Sequence, residues 1–193
     1  MKKTLSEMSL EELWQLFPII LKEHNPDYKE WYLTEKNILL NTLSSDTIKR
    51  INHIGSTSVK DLIAKPTVDI LLEIDSDANI EEIKSKLISA GWGLMSSSYT
   101  PNLHLIFQKG YTPEGFDEKV FHLHLRFLGD WNELYFRDYL LIHKNIAEEY
   151  GNLKKQLKEK YEHNRDGYTE AKTEFIMKYT KIAKEDFNNR YLP

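Results

Sequence analysis

Cysteine is absent from the 193 residues of this sequence. Its absence excludes disulfide bonds, thiolate metal ligands and cysteine nucleophiles, and it suits a chain that works in a reducing compartment. Long apolar runs are absent too, and none approaches the ~20 residues that a helix needs to cross a bilayer. These two absences predict a cytoplasmic protein that has no membrane partner.

The sequence also lacks an excess of positive charge. It has 26 Lys and Arg against 30 Asp and Glu, which gives a formal net charge of −4. Proteins that bind nucleic acid without base specificity usually carry a basic excess. The composition therefore argues against non-specific nucleic-acid binding, and sequence-specific binding is not expected either. A local basic pocket stays compatible with the composition.

The patterns that are present predict one domain over residues 1–193. Residues 1–45 and 129–193 have helical periodicity, whereas residues 46–128 combine strand patterns with one amphipathic helix. The strand patterns cover residues 48–54, 67–74, 92–99, 103–108 and 119–127. This arrangement predicts an α+β fold, with a sheet between helices and a helical C-terminal part.

The helical C-terminal part is predicted to contain two breaks. Gly151 is expected to interrupt a long helix over residues 131–163. Residues 164–167 are expected to form a turn before a last helix over residues 169–187. The lysine-rich run 154–160 has the charge pattern of a solvated helix face.

A turn that suits an anion is predicted at Gly55, Ser56, Thr57 and Ser58, directly after the strand 48–54. Glycine permits a sharp turn, and the free N–H groups at the start of a following helix favour an anion. The three hydroxyl groups add further donors. An ordinary strand-to-helix turn with a serine cap explains the same residues equally well.

Asp69 is a carboxylate within the apolar strand 67–74. Burial of a carboxylate is costly unless it is paired, hydrogen-bonded or bound to a metal. A structural aspartate that bonds to backbone amides is one interpretation. Its position soon after the glycine-serine turn favours the other interpretation, a functional role.

Five separated segments of the sequence resemble the GrpB family, within a region of roughly residues 25 to 185. They are residues 53–59 (HIGSTSV), 64–71 (AKPTVDIL), 122–125 (HLHL), 136–140 (FRDYL) and 168–172 (YTEAK). The resemblance implies a mixed β-sheet like that of nucleotidyltransferases, in a family without a well-established activity. In the nucleotidyltransferase superfamily, a Gly-Ser turn holds nucleotide phosphates and strand carboxylates bind Mg²⁺, which implies these roles for Gly55, Ser56 and Asp69.

The sequence departs from the nucleotidyltransferase pattern two residues after Asp69. A second carboxylate there would share the strand face and grip the same metal ions, but the residue is Leu71. Glu73 shares that face at roughly 13 Å from Asp69, at ~3.3 Å per residue, and is a poor substitute.

The strand that should supply a third carboxylate instead places His122, His124 and Arg126 on one face. If this strand lies beside that of Asp69, Asp69 and the two histidines form a metal site. The resemblance implies Mg²⁺ or Mn²⁺ as the cofactor. If the histidines ligate, Zn²⁺ is expected instead, because imidazole favours Zn²⁺, Mn²⁺, Fe²⁺ or Ni²⁺ over Mg²⁺. Alternatively, the histidines hydrogen-bond Asp69 and one another, or donate to phosphate beside Arg126. His104 joins this face if the hairpin register allows it.

Basic residues are expected to complete a phosphate site. The candidates are Lys65 before the Asp69 strand, Arg126, Arg137 and Lys172. Arginine clamps phosphate through two N–H groups, whereas lysine acts as a point charge. Arg137 and Asp138 can instead form an ion pair on a helix surface.

Three functions stay open from the sequence. The first is a metal-dependent nucleotidyltransferase that binds a nucleotide or other phosphorylated ligand and acts on an unknown acceptor, with Asp69, His122 and His124 as catalytic residues. The second is a non-catalytic module that binds a nucleotide or a CoA-type ligand. The third is a metal-dependent phosphoester hydrolase.

Overall fold

A computed structural model describes residues 3–44 and 46–193 of the chain. Its strands are β1 (Ile48–Ile54), β2 (Thr67–Ile74), β3 (Gly93–Ser98), β4 (His104–Thr112) and β5 (Gly115–Phe127). Its α-helices are α1 (Leu10–Leu16), α2 (Tyr28–Thr42), α3 (Ile80–Ser89), α4 (Asn132–Ile142), α5 (Lys144–Tyr161), α6 (Arg165–Glu170) and α7 (Thr173–Asp186). Leu5–Glu7 and Ser56–Ser58 form short 3₁₀ turns.

The five strands form one mixed sheet in the order β1-β2-β5-β4-β3. β2 and β5 are parallel, and the other neighbouring strands of the described sheet are antiparallel. The parallel register pairs Asp69 with His122 and Leu71 with His124. Because side chains alternate along each strand, this register brings the polar positions of β2 and β5 to the same face of the sheet.

The other face of the sheet carries the main core. Val68, Ile70, Leu72 and Ile74 of β2 are fully buried and pack in a cluster with side chains of α2 and α3. The face with Asp69 is covered by the C-terminal helices, since Leu134 of α4 packs on Leu71. The predicted α+β fold, with a mixed sheet between helices and a helical C-terminal part, is confirmed.

The predicted strands β1 and β2 are confirmed at their bounds, whereas the β4–β5 hairpin is longer than predicted. Residues 109–115, which lie between the predicted strands 103–108 and 119–127, are mostly strand. Gly110 has a φ of +87°, and the ladder shifts register between Lys109 and Tyr111. This bulge lets both strands continue to a tight turn.

The predicted helix break at Gly151 is wrong. Gly151 lies inside α5, and the break falls at His143, between α4 and α5. A Cβ on Gly151 would lie 3.3 Å from Cγ2 of Ile63. Glycine at this position therefore allows α5 to approach the segment before β2.

The predicted turn at residues 164–167 is also wrong, because α6 begins at Arg165. Asn164 caps this helix, and its Oδ1 accepts a hydrogen bond from the backbone N–H of Gly167 at 2.8 Å. Asparagine is favoured both at N-caps and in turns, so the local sequence does not separate the two structures. The last helix, α7, consequently begins at Thr173. In the described part of the chain, no helix combines the length and apolar composition that a membrane crossing requires.

Candidate functional site

The polar face of the sheet brings one carboxylate of β2 to two imidazoles of β5. Oδ1 of Asp69 lies 3.2 Å from Nδ1 of His122 and 3.4 Å from Nε2 of His124. The three residues each offer a ligand atom, and these atoms lie within 4.8 Å of one another. The predicted adjacency of the two strands produces this arrangement.

His122 lies in a chain of hydrogen bonds. Its Nε2 is 2.7 Å from the hydroxyl of Tyr111 and 3.2 Å from Nη2 of Arg165. A guanidinium only donates, so this Nε2 accepts, and the Nδ1–H donates a hydrogen bond to Oδ1 of Asp69. Nδ1 of His124 is buried and has no hydrogen-bond partner among the described residues.

The charge states of this group follow from burial and hydrogen bonding. Burial lowers the pKa of His122 to about 4, so its imidazole is neutral at pH 7. Burial alone would raise the pKa of Asp69, but hydrogen bonds from His122 and His124 outweigh it and hold that pKa well below its usual range. An ionised carboxylate beside imidazole nitrogens is a donor set that suits a divalent transition metal or zinc.

The glycine-serine turn lies directly against the carboxylate. Gly55 has a φ of +70°, and a Cβ there would be 2.5 Å from Oδ2 of Asp69. Glycine is therefore required both by the backbone conformation and by the close approach. The structure places the turn and Asp69 in one site.

Two of the three predicted hydroxyl donors are used inside the protein. Ser58 donates to the carbonyl of Gly55 at 2.6 Å, and Thr57 donates to the carbonyl of Thr67 at 3.0 Å. The turn continues into a 3₁₀ segment of three residues, which carries too short a stack of peptide dipoles to supply the expected macrodipole. Ser56 is left as the hydroxyl that bonds to a cation.

Four cationic side chains gather around the turn and Asp69, and we call them the basic cluster. They are Lys65, Lys154, Arg165 and Lys172. In the described part of the chain, none of the four forms an ion pair with a carboxylate. Such a group of cations is costly to hold together unless an anion compensates them.

Burial and mutual repulsion act on the lysines of the basic cluster. Burial, with the charges of Arg165 and Lys172, lowers the pKa of Lys65 to about 7. Burial, with the charges of Lys172 and Lys65, lowers the pKa of Lys154 to about 7. Burial also lowers the pKa of Lys172 to about 8, although the charge of Asp69 opposes this shift.

The sequence patterns do not single out Lys154 and Arg165. The prediction of a solvated face is wrong for Lys154, whose residue surface is 3% exposed. Its ammonium donates to Oγ of Ser56 at 3.0 Å and to the carbonyl of Ile63. Helical spacing could have predicted the burial of Lys154, because Lys154 is four positions after the buried residue Tyr150 and so lies on the same face of α5.

The other predicted cations do not join the basic cluster. Arg126 is buried and donates to the carbonyls of Leu105 and Leu125. Arg137 donates to the carbonyl of His53 and pairs with Asp138 at 2.8 Å. This pair is largely buried, in contrast to the surface pair that was the alternative.

His104 also lies outside the metal group, and neither Leu71 nor Glu73 of β2 provides a second carboxylate for it. The ring of His104 packs edge-on against Trp131, at 5.3 Å between centroids. Glu73 is fully buried and accepts two hydrogen bonds from Arg50, at 2.5 and 2.7 Å. Leu71 is fully buried in a cluster with Ile54 and Leu134, so hydrocarbon fills the position of a second carboxylate.

Comparison with known proteins assigns the family. Residues 18–182 match the sequence profile described as GrpB protein, and the chain belongs to the GrpB family. It is 35% identical over 162 residues to the glutamate-rich protein GrpB of Alkalihalophilus pseudofirmus, which covers 82% of this chain and 91% of that one. It is 32% identical over 165 residues to the UPF0157 protein YqkA of Bacillus subtilis, where the match covers 83% of this chain and 46% of that longer one.

A solved structure of the same family supports the fold. The crystal structure of conserved protein GrpB from Enterococcus faecalis aligns with a TM-score of 0.74 and 28% sequence identity. The alignment covers 87% of this chain and 99% of that chain. The sheet and helices described above therefore belong to a known GrpB fold.

Proposed function

We propose that this chain binds a phosphorylated small ligand, a nucleotide, together with a divalent metal ion at the glycine-serine turn. The observation that carries the proposal is the basic cluster: among the described residues, its four cations form no ion pair with a carboxylate, and they lie beside the ionised Asp69. Burial and, to a lesser degree, mutual repulsion lower the lysine pKa values, and phosphate groups would relieve the repulsion. Arg165 would clamp phosphate oxygens through two N–H groups, and the lysines would act as point charges.

The metal would be held by Asp69, His122 and His124. The donor set fits, because a carboxylate oxygen and two ring nitrogens lie within 4.8 Å of one another. The hydroxyl oxygen of Tyr111 is placed to accept a hydrogen bond from an Nε2–H of His122 once Nδ1 ligates, which is the outer contact that metal-bound histidines usually make. Such an ion would neutralise phosphate charge and orient a leaving group.

In this proposal Arg165 affects both phosphate binding and metal binding. It donates to Nε2 of His122, which is compatible with the metal-free tautomer and incompatible with a proton on that nitrogen. An arriving phosphate would draw the guanidinium away from the ring. The ring would then be free to place its proton on Nε2 and ligate through Nδ1.

Transfer of the nucleotidyl group to an acceptor is the reaction that this site would support. One observation favours a second candidate, binding without transfer. Leu71 fills the place of a second carboxylate with packed hydrocarbon, and Glu73 is engaged with Arg50. A site with one carboxylate can hold a metal-nucleotide complex, but it has fewer groups to balance charge during transfer.

A thermal-shift panel tests the proposal on the full chain. Nucleoside triphosphates, CoA and inorganic pyrophosphate are each added with and without Mn²⁺, Mg²⁺ or Zn²⁺, because a ligand that binds the folded state raises the unfolding temperature. The panel is repeated on Asp69→Asn and on the control Asp75→Asn, which changes a partly exposed carboxylate that follows β2 and pairs with Lys49. The proposal predicts stabilisation whose metal-dependent part is lost in Asp69→Asn and kept in Asp75→Asn.

Release of pyrophosphate from the stabilising nucleotide distinguishes the two candidates. Turnover that requires Asp69 supports transfer or hydrolysis, and stabilisation without turnover supports the binding module. If no phosphorylated compound stabilises the wild-type protein, the proposed function is wrong.

A further inference from the structure

A cleft of about 610 Å³ opens beside the metal group, between α1, the edge strand β3 and the start of α6. Its volume lies within the range that small-ligand sites occupy in proteins. Trp14 of α1 and Leu94 and Met95 of β3 give it apolar walls. Leu94 and Met95 are each 40% exposed, so these walls are open to a ligand.

The cleft shares two side chains with the proposed metal and phosphate site. Tyr111 and Arg165 line the cleft, and both of them contact Nε2 of His122. Gln108 lines it as well and is the register partner of His122 on β4. A ligand whose phosphates occupy the basic cluster would therefore extend into this cleft.

The cleft offers one free aromatic face. Tyr111 is already stacked on His122 and packed edge-on against Phe17. Trp14 is half-buried, and within the described residues its ring meets no other aromatic ring and no cation. A planar heterocycle is the group that stacks on such a face.

Polar groups at the cleft match the edge of a base and a sugar. The amide of Gln108 and the carboxylate of Asp166 line the cleft, and neither makes a side-chain hydrogen bond within the described part of the chain. An amide offers both donors and acceptors, and a carboxylate accepts from N–H or hydroxyl groups. The wall therefore combines a stacking surface with unpaired polar groups.

We propose that this cleft is the base subsite of the phosphorylated ligand, with Trp14 as the stacking platform and Gln108 as the group that bonds to the base edge. The inference rests on the proposed function, since the basic cluster must hold the phosphates of the same molecule. It specifies the ligand class as a nucleoside polyphosphate, in place of an inorganic phosphate or a phosphosugar.

Calorimetric titration of a nucleoside triphosphate and of inorganic tripolyphosphate separates the two halves of the site. Both compounds carry the same phosphate chain, and only the first carries a base. The wild-type protein is expected to bind the triphosphate about tenfold more tightly, which is within the range for one stacked base. Trp14→Ala should remove this advantage and leave the affinity for tripolyphosphate unchanged, whereas Trp14→Phe should retain most of it.

Gln15→Ala is the matched control, because Gln15 is the exposed neighbour of Trp14 on α1 and does not line the cleft. α1 contributes no buried residue, so these substitutions leave the core intact. Gln108→Ala provides a second variant from another element and should also reduce the advantage. Equal wild-type affinity for the two compounds, or an advantage that survives in Trp14→Ala, overturns the base subsite while the proposed function stands. Failure of both compounds to bind overturns the base subsite and the proposed function together.

Discussion

The ammonium of Lys154 donates a hydrogen bond to the hydroxyl of Ser56 at 3.0 Å, which joins the middle of α5 to the glycine-serine turn. The same ammonium donates to the carbonyl of Ile63. A buried lysine with two oxygen partners, and with no carboxylate partner in the described part of the chain, is a charge that the fold holds at a cost. In the proposed function, this buried charge is kept because it binds the phosphate of the ligand.

Lys154→Met should weaken binding of inorganic pyrophosphate by roughly tenfold, since it removes one charge-assisted contact. The unfolding temperature should stay the same or rise, because an apolar side chain of similar length replaces a buried charge. Lys155→Met changes an exposed neighbour on the same helix and should alter neither quantity. Calorimetry and thermal denaturation of the three proteins measure both effects. A destabilised Lys154→Met protein with unchanged affinity would show that Lys154 is purely structural.

Gly55→Ala should destabilise the protein by about 1–3 kcal/mol, since alanine is strained at a φ of +70°. The added Cβ would also meet Oδ2 of Asp69 at 2.5 Å and push the carboxylate away from the turn. Gly93→Ala is the control, because its Cβ would meet Gln108 at an ordinary 3.8 Å. Chemical denaturation compares the free energies of unfolding, and an equal loss in both variants would refute the close approach of turn and carboxylate.

Period-two patterns explain why the centre of the sheet was predictable. Alternation along β5 places His122 and His124 on one face of that strand. The parallel register between β2 and β5 then brings Asp69 to the same face of the sheet. The bounds of β2 followed from its β-branched and apolar residues.

Tertiary packing explains why the rest of the site was not predictable. Lys154 resembles its solvated lysine neighbours in sequence, and only the approach of α5 to the segment before β2 buries it. Gly151 lies in the same interface, where it serves close packing and does not end a helix. Arg165 reaches His122 because Asn164 caps α6, whereas the same residues also fit a turn.

His124→Ala should lower the affinity for Mn²⁺ or Zn²⁺ by at least roughly tenfold, because it removes one of three ligands. His104→Ala is the matched control, since His104 lies on the adjacent strand β4 but packs against Trp131. Metal-free protein is titrated with each ion, and bound metal is checked by elemental analysis. Equal and negligible metal binding by the wild-type protein and His124→Ala would leave hydrogen bonding to Asp69 as the role of the histidines.

The most direct test of the basic cluster is the affinity of the wild-type protein for inorganic pyrophosphate as a function of pH, without metal. The lysines bind the anion in their protonated form, and their lowered pKa values of about 7 for Lys65 and Lys154 and about 8 for Lys172 place the loss of charge near neutrality. Affinity should therefore fall by roughly tenfold or more between pH 6.5 and pH 9, since a shift of one pKa unit corresponds to about 1.4 kcal/mol.

Pyrophosphate itself gains negative charge over this range, so ionisation of the ligand alone would change the affinity in the opposite direction. Saturable binding at pH 6.5 that weakens steadily toward pH 9 is the predicted result. No binding at pH 6.5, or an affinity that is unchanged or higher at pH 9, would contradict a phosphate site built from these lysines.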